Sequence, residues 1–486
     1  MSTKIQIPLV GGSYKHDVLA FDAQETINMF PERGGKQSKS QSLLRRFPGF
    51  KDWITLSAGI GKVRGMYVTS NDRAFIARDN QLIEVATDGT ETVRGSINAG
   101  VQEVHMQDNG VQLGIADGTN IWEYVLATNV LTAVTSVSAP DTTPSLEFAD
   151  GRFIGFDPSA ANGTWRISDL NDVTAWTPAN VYTAEGSPDK LVAIKVHNRE
   201  VWLFGSKSFE VYQAIGGGAG SEYARIDGTF KNIGLKSRKS VSIIRDNIIW
   251  LGSSKDGANI IWRAQGGYQP HQISTKAMET EIASYASTDD AWSFTFEYLG
   301  HHFYVISFQS GNKTWVYSLT DNEWVNWAYR EPTSGDQGRI RCETHMHFNG
   351  KNYVGDYVNG NIYELDKDTY TDNGNYILAE RKFPYVHEKN REITIYELFI
   401  DFMVGYGLLT GQGSDPKVQI RWSHDGGHTW DNWQWMGLGV RGDYGFQSTM
   451  QLMGAARSWV IHIRCMEPMP FAIQDNAIAD VDVSED

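Results

Sequence analysis

Gly65-Met66-Tyr67-Val68, a turn at Asn71-Asp72, Ala74-Phe75-Ile76-Ala77, a turn at Asp79-Asn80, then Leu82-Ile83-Glu84-Val85 make one unit of short apolar strands joined by polar turns. β-branched and aromatic residues bounded by Asn, Asp and Gly mark strands in tight hairpins, because those turn residues tolerate positive φ. The unit recurs. Val104-His105-Met106 precedes Asn109-Gly110, Leu113-Gly114-Ile115 follows it, and Ile121-Trp122-Glu123-Tyr124 ends the second copy. Equivalent turns stand at Asp150-Gly151, Asn198-Arg199, Asp246-Asn247, Gly300-His301 and Asn349-Gly350, roughly 37 to 54 residues apart. That is the period of a propeller blade of four short strands. The pattern predicts an all-β fold: a seven-bladed β-propeller-like array over 63–375, closed so that no long sheet edge is exposed.

Composition agrees with many turns and few helices. Of 486 residues, 48 are Gly and 16 are Trp, and aromatics reach 12%. The formal net charge of −15 argues against a free-standing nucleic-acid binder, which needs a basic footprint to neutralise phosphates. Cys342 and Cys465 lack metal-type spacing and form no disulfide framework. The N-terminus carries no charged start followed by a long apolar core, and no apolar run reaches the ~18 residues of a membrane helix. Synthesis in a cytoplasm without membrane insertion is expected.

The flanks read differently. Residues 1–62, with Pro31, Pro48 and the polar run from Gly34 to Ser40, are expected as an irregular N-terminal arm. Its basic residues Arg33, Lys36, Lys39, Arg45 and Arg46 are candidate partner contacts, toward acidic neighbours or DNA. Lys236, Arg238 and Lys239 form a second basic patch in a connection between blades. Ile273, Ala277, Met278 and Ile282 have helical spacing behind Ser274 as a cap, predicting one short helix. Period-two alternation in 392–402, 418–422 and 459–464 predicts a small C-terminal β-sandwich over 376–486, ending in an acidic, mobile tail from Asp480.

Candidate chemistry is thin. Ser423-His424-Asp425-Gly426-Gly427-His428-Thr429-Trp430 matches the Asp-box pattern S-x-D-x-G-x-T-W of sialidase-like propellers. It occurs once, outside the repeats. Ser423, Asp425, Gly427, Thr429 and Trp430 are therefore read as a structural turn, with Thr429 and Trp430 opening the returning strand and burying the indole. A sialidase-like site would also need three arginines, a Tyr–Glu pair and an acid, and no such constellation can be assembled. His345 and His347 share a strand face without a third ligand. Gly216–Gly220 lacks the Gly-Lys-Ser/Thr of a phosphate cradle. No catalytic, cofactor or metal residues are assigned, and no enzyme activity is expected.

Several stretches, in order, point to one family: Asn28-Met29-Phe30-Pro31-Glu32, Arg46-Phe47-Pro48-Gly49, Gly163 to Leu170, Ala184 to Val192, Phe204-Gly205 with Glu210-Val211-Tyr212, Ile273-Ser274-Thr275, Gly300 to Tyr304, Thr314-Trp315, Trp324, Asp425 to Trp430 and Arg457 to Arg464. Their order and spacing resemble the tail hub proteins of short-tailed bacteriophages, also called packaged-DNA stabilisation or tail accessory proteins. Residues 452–457 follow the family only loosely. The resemblance implies a virion component, assembled in the host bacterial cytoplasm, with no catalytic residues to carry over. It implies a homohexameric ring below the portal and adaptor that closes the filled head, stabilises packaged DNA and carries tail needle and tailspike or receptor-binding protein. Double-stranded DNA would pass it without sequence specificity on ejection. The alternative from another class is a carbohydrate-active propeller, either a sialidase-like hydrolase or a glycan-binding adhesin; repeated Asp boxes or arginines clustered at the ring centre would favour it.

Overall fold

In the computed structural model, which describes residues 3–19, 21–35, 37–254, 257–389 and 391–484, the turn residues adopt the backbone that selected them. Asp72 (φ 60°), Gly110 (85°), Asp150 and Gly151 (48° and 79°), Asn198 and Arg199 (53° and 65°), and Asn349 and Gly350 (49° and 72°) are left-handed. At two turns the bend lies one residue earlier than expected. Arg245 (φ 51°) bends in place of Asp246, and Leu299 and Gly300 (51° and 82°) in place of Gly300 and His301.

Six sheets follow one another along the chain. The segments 63–96, 105–133, 147–183, 191–225 and 292–326 each hold a four-stranded antiparallel meander, and 234–272 holds a five-stranded sheet. A further sheet sets Cys342–Phe348, Lys351–Asp356 and Asn361–Asp366 beside the N-terminal strand Gly49–Thr55. That last pairing is antiparallel, from Gly49 opposite Asp366 to Thr55 opposite Asn361. The strand Cys342–Phe348 adjoins Val63–Val68, so the array returns to its start. The chain is an all-β propeller. Among the described residues it has one α-helix, Lys276–Ala283, and one 3-10 turn, Arg238–Ser240.

The apolar core is divided among the seams between sheets. Phe75, Leu82, Leu113 and Tyr124 fill the first seam; Ile249, Ile261, Tyr304 and Trp315 fill a later one; Ile76, Ile83, Phe348 and Tyr353 fill the seam that closes the array. Burying one such side chain contributes about 1.5–3 kcal/mol, so each sheet depends on both neighbours. The helix packs its Met278 and Ile282 into one of these seams. Its cap is Thr275, whose Oγ1 accepts from the Met278 amide at 3.3 Å. Ser274, the expected cap, instead accepts from the Ile261 amide (3.0 Å) and donates to Glu279 (2.7 Å), because it lies alongside the preceding strand.

The first 62 residues are not an irregular arm. Thr3–Pro8 pairs with Ala472–Val483, and the hairpin Met29–Arg33 with Ser42–Arg46 extends the same sheet. Ala23–Ile27 lies between the strand Glu323–Asn326 of one blade and Ala379–Lys382. That sheet then runs on through Val460–Cys465, Lys417–Ser423 and Gln434–Gly437. These two sheets enclose a core that includes Leu44, Ile395, Leu398, Ile420, Ile461 and Ile473. The N-terminal segment looked irregular in sequence because its strands complete cores supplied mainly by distant residues. Nor is the acidic end a mobile tail through Val483. Ala477, Ala479 and Val481 are fully buried in the strand Ala472–Val483, and Asp480 and Asp482 occupy the alternate positions. Glu485 and Asp486 lie outside the described residues.

Candidate functional site: the central cavity and the basic residues

The innermost strands surround a cavity of about 410 Å³. Lys195 Nζ donates to Glu147 Oε1 at 2.8 Å and lies 3.2 Å from His105 Nε2. Burial raises the Glu147 pKa against the opposing pull of Lys195. Burial also drives His105 well below its ordinary pKa, with Lys195 and Arg238 adding to the effect. The His105 imidazole is thus held neutral beside the Lys195–Glu147 contact.

Elsewhere on the wall, the Lys239 ammonium sits 3.7 Å from the Trp292 ring centroid, and Lys62 lies 5.3 Å from the same ring. Burial lowers Lys239 to about 8, opposed by Glu103. Lys62 also pairs with Glu343 at 3.5 Å, and Glu343 accepts from Arg339 (2.7 Å) and Gln309 (3.0 Å). Arg238 pairs with Glu103 at 3.1 Å. Of the wall's lysines and arginines, Lys195 and Arg238 are matched by carboxylates, Lys239 rests on Trp292 and Arg64 is taken by backbone carbonyls.

The basic residues singled out in sequence do not converge. Arg33 is exposed and pairs with Glu323 at 2.9 Å; Lys39 pairs with Asp401 at 2.7 Å; Arg45 pairs with Glu32 at 3.1 Å. Lys236 reaches Asp289 at 2.8 Å, while Arg238 and Lys239 line the central cavity. Lys36 lies outside the described residues.

Arg46 is a correction. It is only 4% exposed, so it presents no charge to a partner. Its terminal nitrogens donate to the carbonyls of Glu467 (2.7 Å), Met469 (3.2 Å), Ile377 (3.1 Å) and Cys465 (3.0 Å). A planar fork of donors can satisfy several carbonyls at once.

The same device was missed at three other arginines. Arg64 donates to Gln102 O (2.7 Å), Asn98 O (2.7 Å) and Asp79 O. Arg78 donates to Leu56 O (2.6 Å), Ala58 O (3.2 Å) and Gly61 O (3.1 Å). Arg381, fully buried, donates to Leu9 O (2.8 Å) and Gly12 O (2.9 Å). The available signal was an arginine inside or ending an otherwise apolar strand, as in Ala74-Phe75-Ile76-Ala77-Arg78.

The Asp-box octapeptide forms a turn around one carboxylate. Asp425 accepts from the amides of His428 (3.0 Å) and Thr429 (2.8 Å) and from the Thr429 hydroxyl (2.6 Å). Ser423 Oγ donates to Asp425 (2.7 Å) and accepts from the Gly427 amide (2.7 Å). Gly427 has φ 90°, a conformation glycine adopts without strain. The returning strand starts at Gln434, later than expected. Trp430 is half-buried, held by Arg421 at 4.6 Å and His462 at 5.5 Å. Among the described residues no cluster of His, Cys, Asp and Glu is arranged to hold a metal. His345 instead stacks on Phe294 and bonds Asn352 at 3.0 Å.

The family described as bacteriophage P22 Gp10, beta-propeller, matches residues 5–370. No curated protein sequence matches the chain. Among solved structures, the chain is similar to a catalytically inactive virginiamycin B lyase from Staphylococcus aureus with quinupristin: 10% identity, TM-score 0.44, covering 65% of this chain and 98% of that one. It is also similar to the extracellular domain of the putative one-component system BT4673 from B. thetaiotaomicron, at 11% identity and TM-score 0.41, covering 90% and 61%. A computationally designed protein, Ika8, matches at 12% identity and TM-score 0.36, covering 65% and 99%.

Proposed function

The chain belongs to the family of the bacteriophage P22 Gp10 β-propeller, and from that membership we propose that it is the tail hub of a short-tailed phage. In this role it closes the DNA-filled head below the portal and adaptor, stabilises the packaged DNA, and anchors the needle and the tailspike or receptor-binding protein. Copies form a six-fold ring, and DNA leaves through its centre during ejection. The hub is a non-catalytic part of the virion. The observation that carries this proposal is the family match itself, because it spans both the N-terminal strands and the ring.

We read the ring as seven blades, with the sheet of 342–366 as the seventh and Gly49–Thr55 as its outer strand. The seam-by-seam division of the core supports that count. We read the two sheets around the remaining core as a sandwich made by residues 3–46 together with 377–484. Ile27, paired in parallel with Asn326 and antiparallel with Glu380, joins both parts in one hydrogen-bonded sheet. That continuity suits a part that must hold against internal pressure.

The assembly is tested by mixing the purified chain with the portal–adaptor complex of its phage and imaging by negative stain, beside the chain alone. A six-fold ring below the adaptor is expected. Failure to associate at micromolar concentration would contradict the hub role.

A further inference from the structure

One outer sheet face concentrates arginine and tryptophan in a way the ring does not explain. Antiparallel neighbours directly opposite each other project to the same side, and the register aligns Glu380, Arg464, Gln419 and Trp435 in one row across four strands. The next row carries Lys382, His462 and Arg421. The Trp433 ring meets the guanidinium groups of both Arg421 (4.3 Å) and Arg464 (3.9 Å). Arg421 Nε donates to His462 Nδ1 at 3.2 Å, and Arg464 Nε to Gln419 Oε1 at 2.6 Å.

On this face cations outnumber carboxylates: Arg421, Arg464 and Lys382 stand against Glu380 and Glu25. Glu380 lies 3.3 Å from His462, and Lys382 is taken by Glu25 at 2.6 Å. Arg421 and Arg464 share the field of one carboxylate, Glu380, which itself lies against His462. Trp435 is 61% exposed and makes no ring contact among the described residues. An exposed indole two strands from Arg464, with Gln419 between them, gives one surface both a stacking plate and forked anion donors.

We propose that this face binds a carboxylate-bearing polysaccharide, with Trp435 stacking on a sugar ring and Arg421 and Arg464 receiving the sugar's carboxylate. Gln419 and Glu380 then serve the hydroxyl groups. A nucleic acid fits less well, because two guanidinium groups that share one carboxylate, on a chain of net charge −15, neutralise too little of a phosphate backbone. The site binds without cleaving and lies outside the propeller, so it stands or falls separately from the hub role.

The test is affinity electrophoresis of the full chain in native gels containing polygalacturonate, alginate or polysialic acid, with neutral dextran as control. Retardation by at least one acidic polymer and not by dextran is expected, weakened about ten-fold or more in Trp435→Ala, whose exposed side chain supports no core. The double variant Arg421→Gln with Arg464→Gln, checked by its melting curve, should lose retardation; if it does not fold, Trp435→Ala decides alone. Absence of retardation by all three acidic polymers, or retardation unchanged in Trp435→Ala, overturns the proposal. So does tighter binding of a double-stranded oligonucleotide that Trp435→Ala abolishes, which would make the face a nucleic-acid surface.

Discussion

The side chain of Asn28 and the backbone of Ala328 exchange two hydrogen bonds: Asn28 Nδ2 donates to Ala328 O at 3.0 Å, and the Ala328 amide donates to Asn28 Oδ1 at 2.7 Å. The amide side chain thus imitates a strand pairing across 300 residues of chain. The same Nδ2 reaches Leu378 O at 2.9 Å, so one buried residue ties the N-terminal strands, a propeller blade and the C-terminal sheets. Its backbone is left-handed at φ 59°, a conformation asparagine tolerates better than most residues.

Asn28→Ala should therefore destabilise the protein by about 2–4 kcal/mol, since it strands buried backbone groups that cost ~1–3 kcal/mol each. A melting temperature unchanged within a degree would show that the junction does not hold the two parts together.

Arg46 and Arg45 are neighbours with opposite roles, and mutation should separate them. Arg46→Ala removes the partner of four backbone carbonyls and is expected to cost about 3–5 kcal/mol, because buried acceptors left without donors cost ~1–3 kcal/mol each. Arg45→Ala removes an exposed pair with Glu32 and should change stability by no more than about 1 kcal/mol. Calorimetry of both variants checks the contrast; equal effects would count against the buried clasp.

Acid should loosen the junction through Glu25. Burial alone would raise its carboxyl, but Lys382 at 2.6 Å and Lys313 at 3.8 Å prevail and hold it at about 2, below the ordinary 4.5. A depressed carboxyl contributes stability that is present above pH 4.5 and lost as pH falls toward 2. Glu25→Gln should melt lower than wild type at pH 6, and the gap should close between pH 4.5 and 2. A gap independent of pH would exclude the ion pair as its source.

Alkali should act at the ring closure through Asp372, which lies opposite Phe50 beside the strand Gly49–Thr55. Burial raises its carboxyl to about 7; Arg341 opposes and Asp356 adds to the rise. A raised carboxyl contributes stability that is present below its ordinary 3.8 and lost as pH rises through about 7. Asp372→Asn should match wild type near pH 4 and melt higher at pH 8. A variant less stable than wild type at pH 8 would contradict the assignment.

Much of the ring was legible because its signal is local. A turn such as Asp150-Gly151 or Asn349-Gly350 needs only its own φ preference and two flanking apolar runs, and these lie where expected. What failed was information held at long range. The strand Gly49–Thr55 finds its partner at 361–366, and nothing within seven residues identifies that pairing. Arg46 reads as a surface charge beside Arg45, yet its carbonyl partners come from Ile377, Cys465, Glu467 and Met469. Asp480 and Asp482 suggested a mobile tail, although the alternation with Ala479 and Val481 was already that of a strand. The arginine–tryptophan face was hidden for the same reason, since Glu380, Gln419, Trp435 and Arg464 meet only across a sheet.

The central claim is that this chain retains DNA in the filled head, and it is tested most directly by measuring the DNA content of particles made by its phage with the gene deleted. Sedimentation of such particles, with and without added purified protein, separates full heads from empty ones. Heads that empty without the protein and stay full when it is added before lysis are the predicted result. Heads that keep their DNA equally well in both samples would contradict the account.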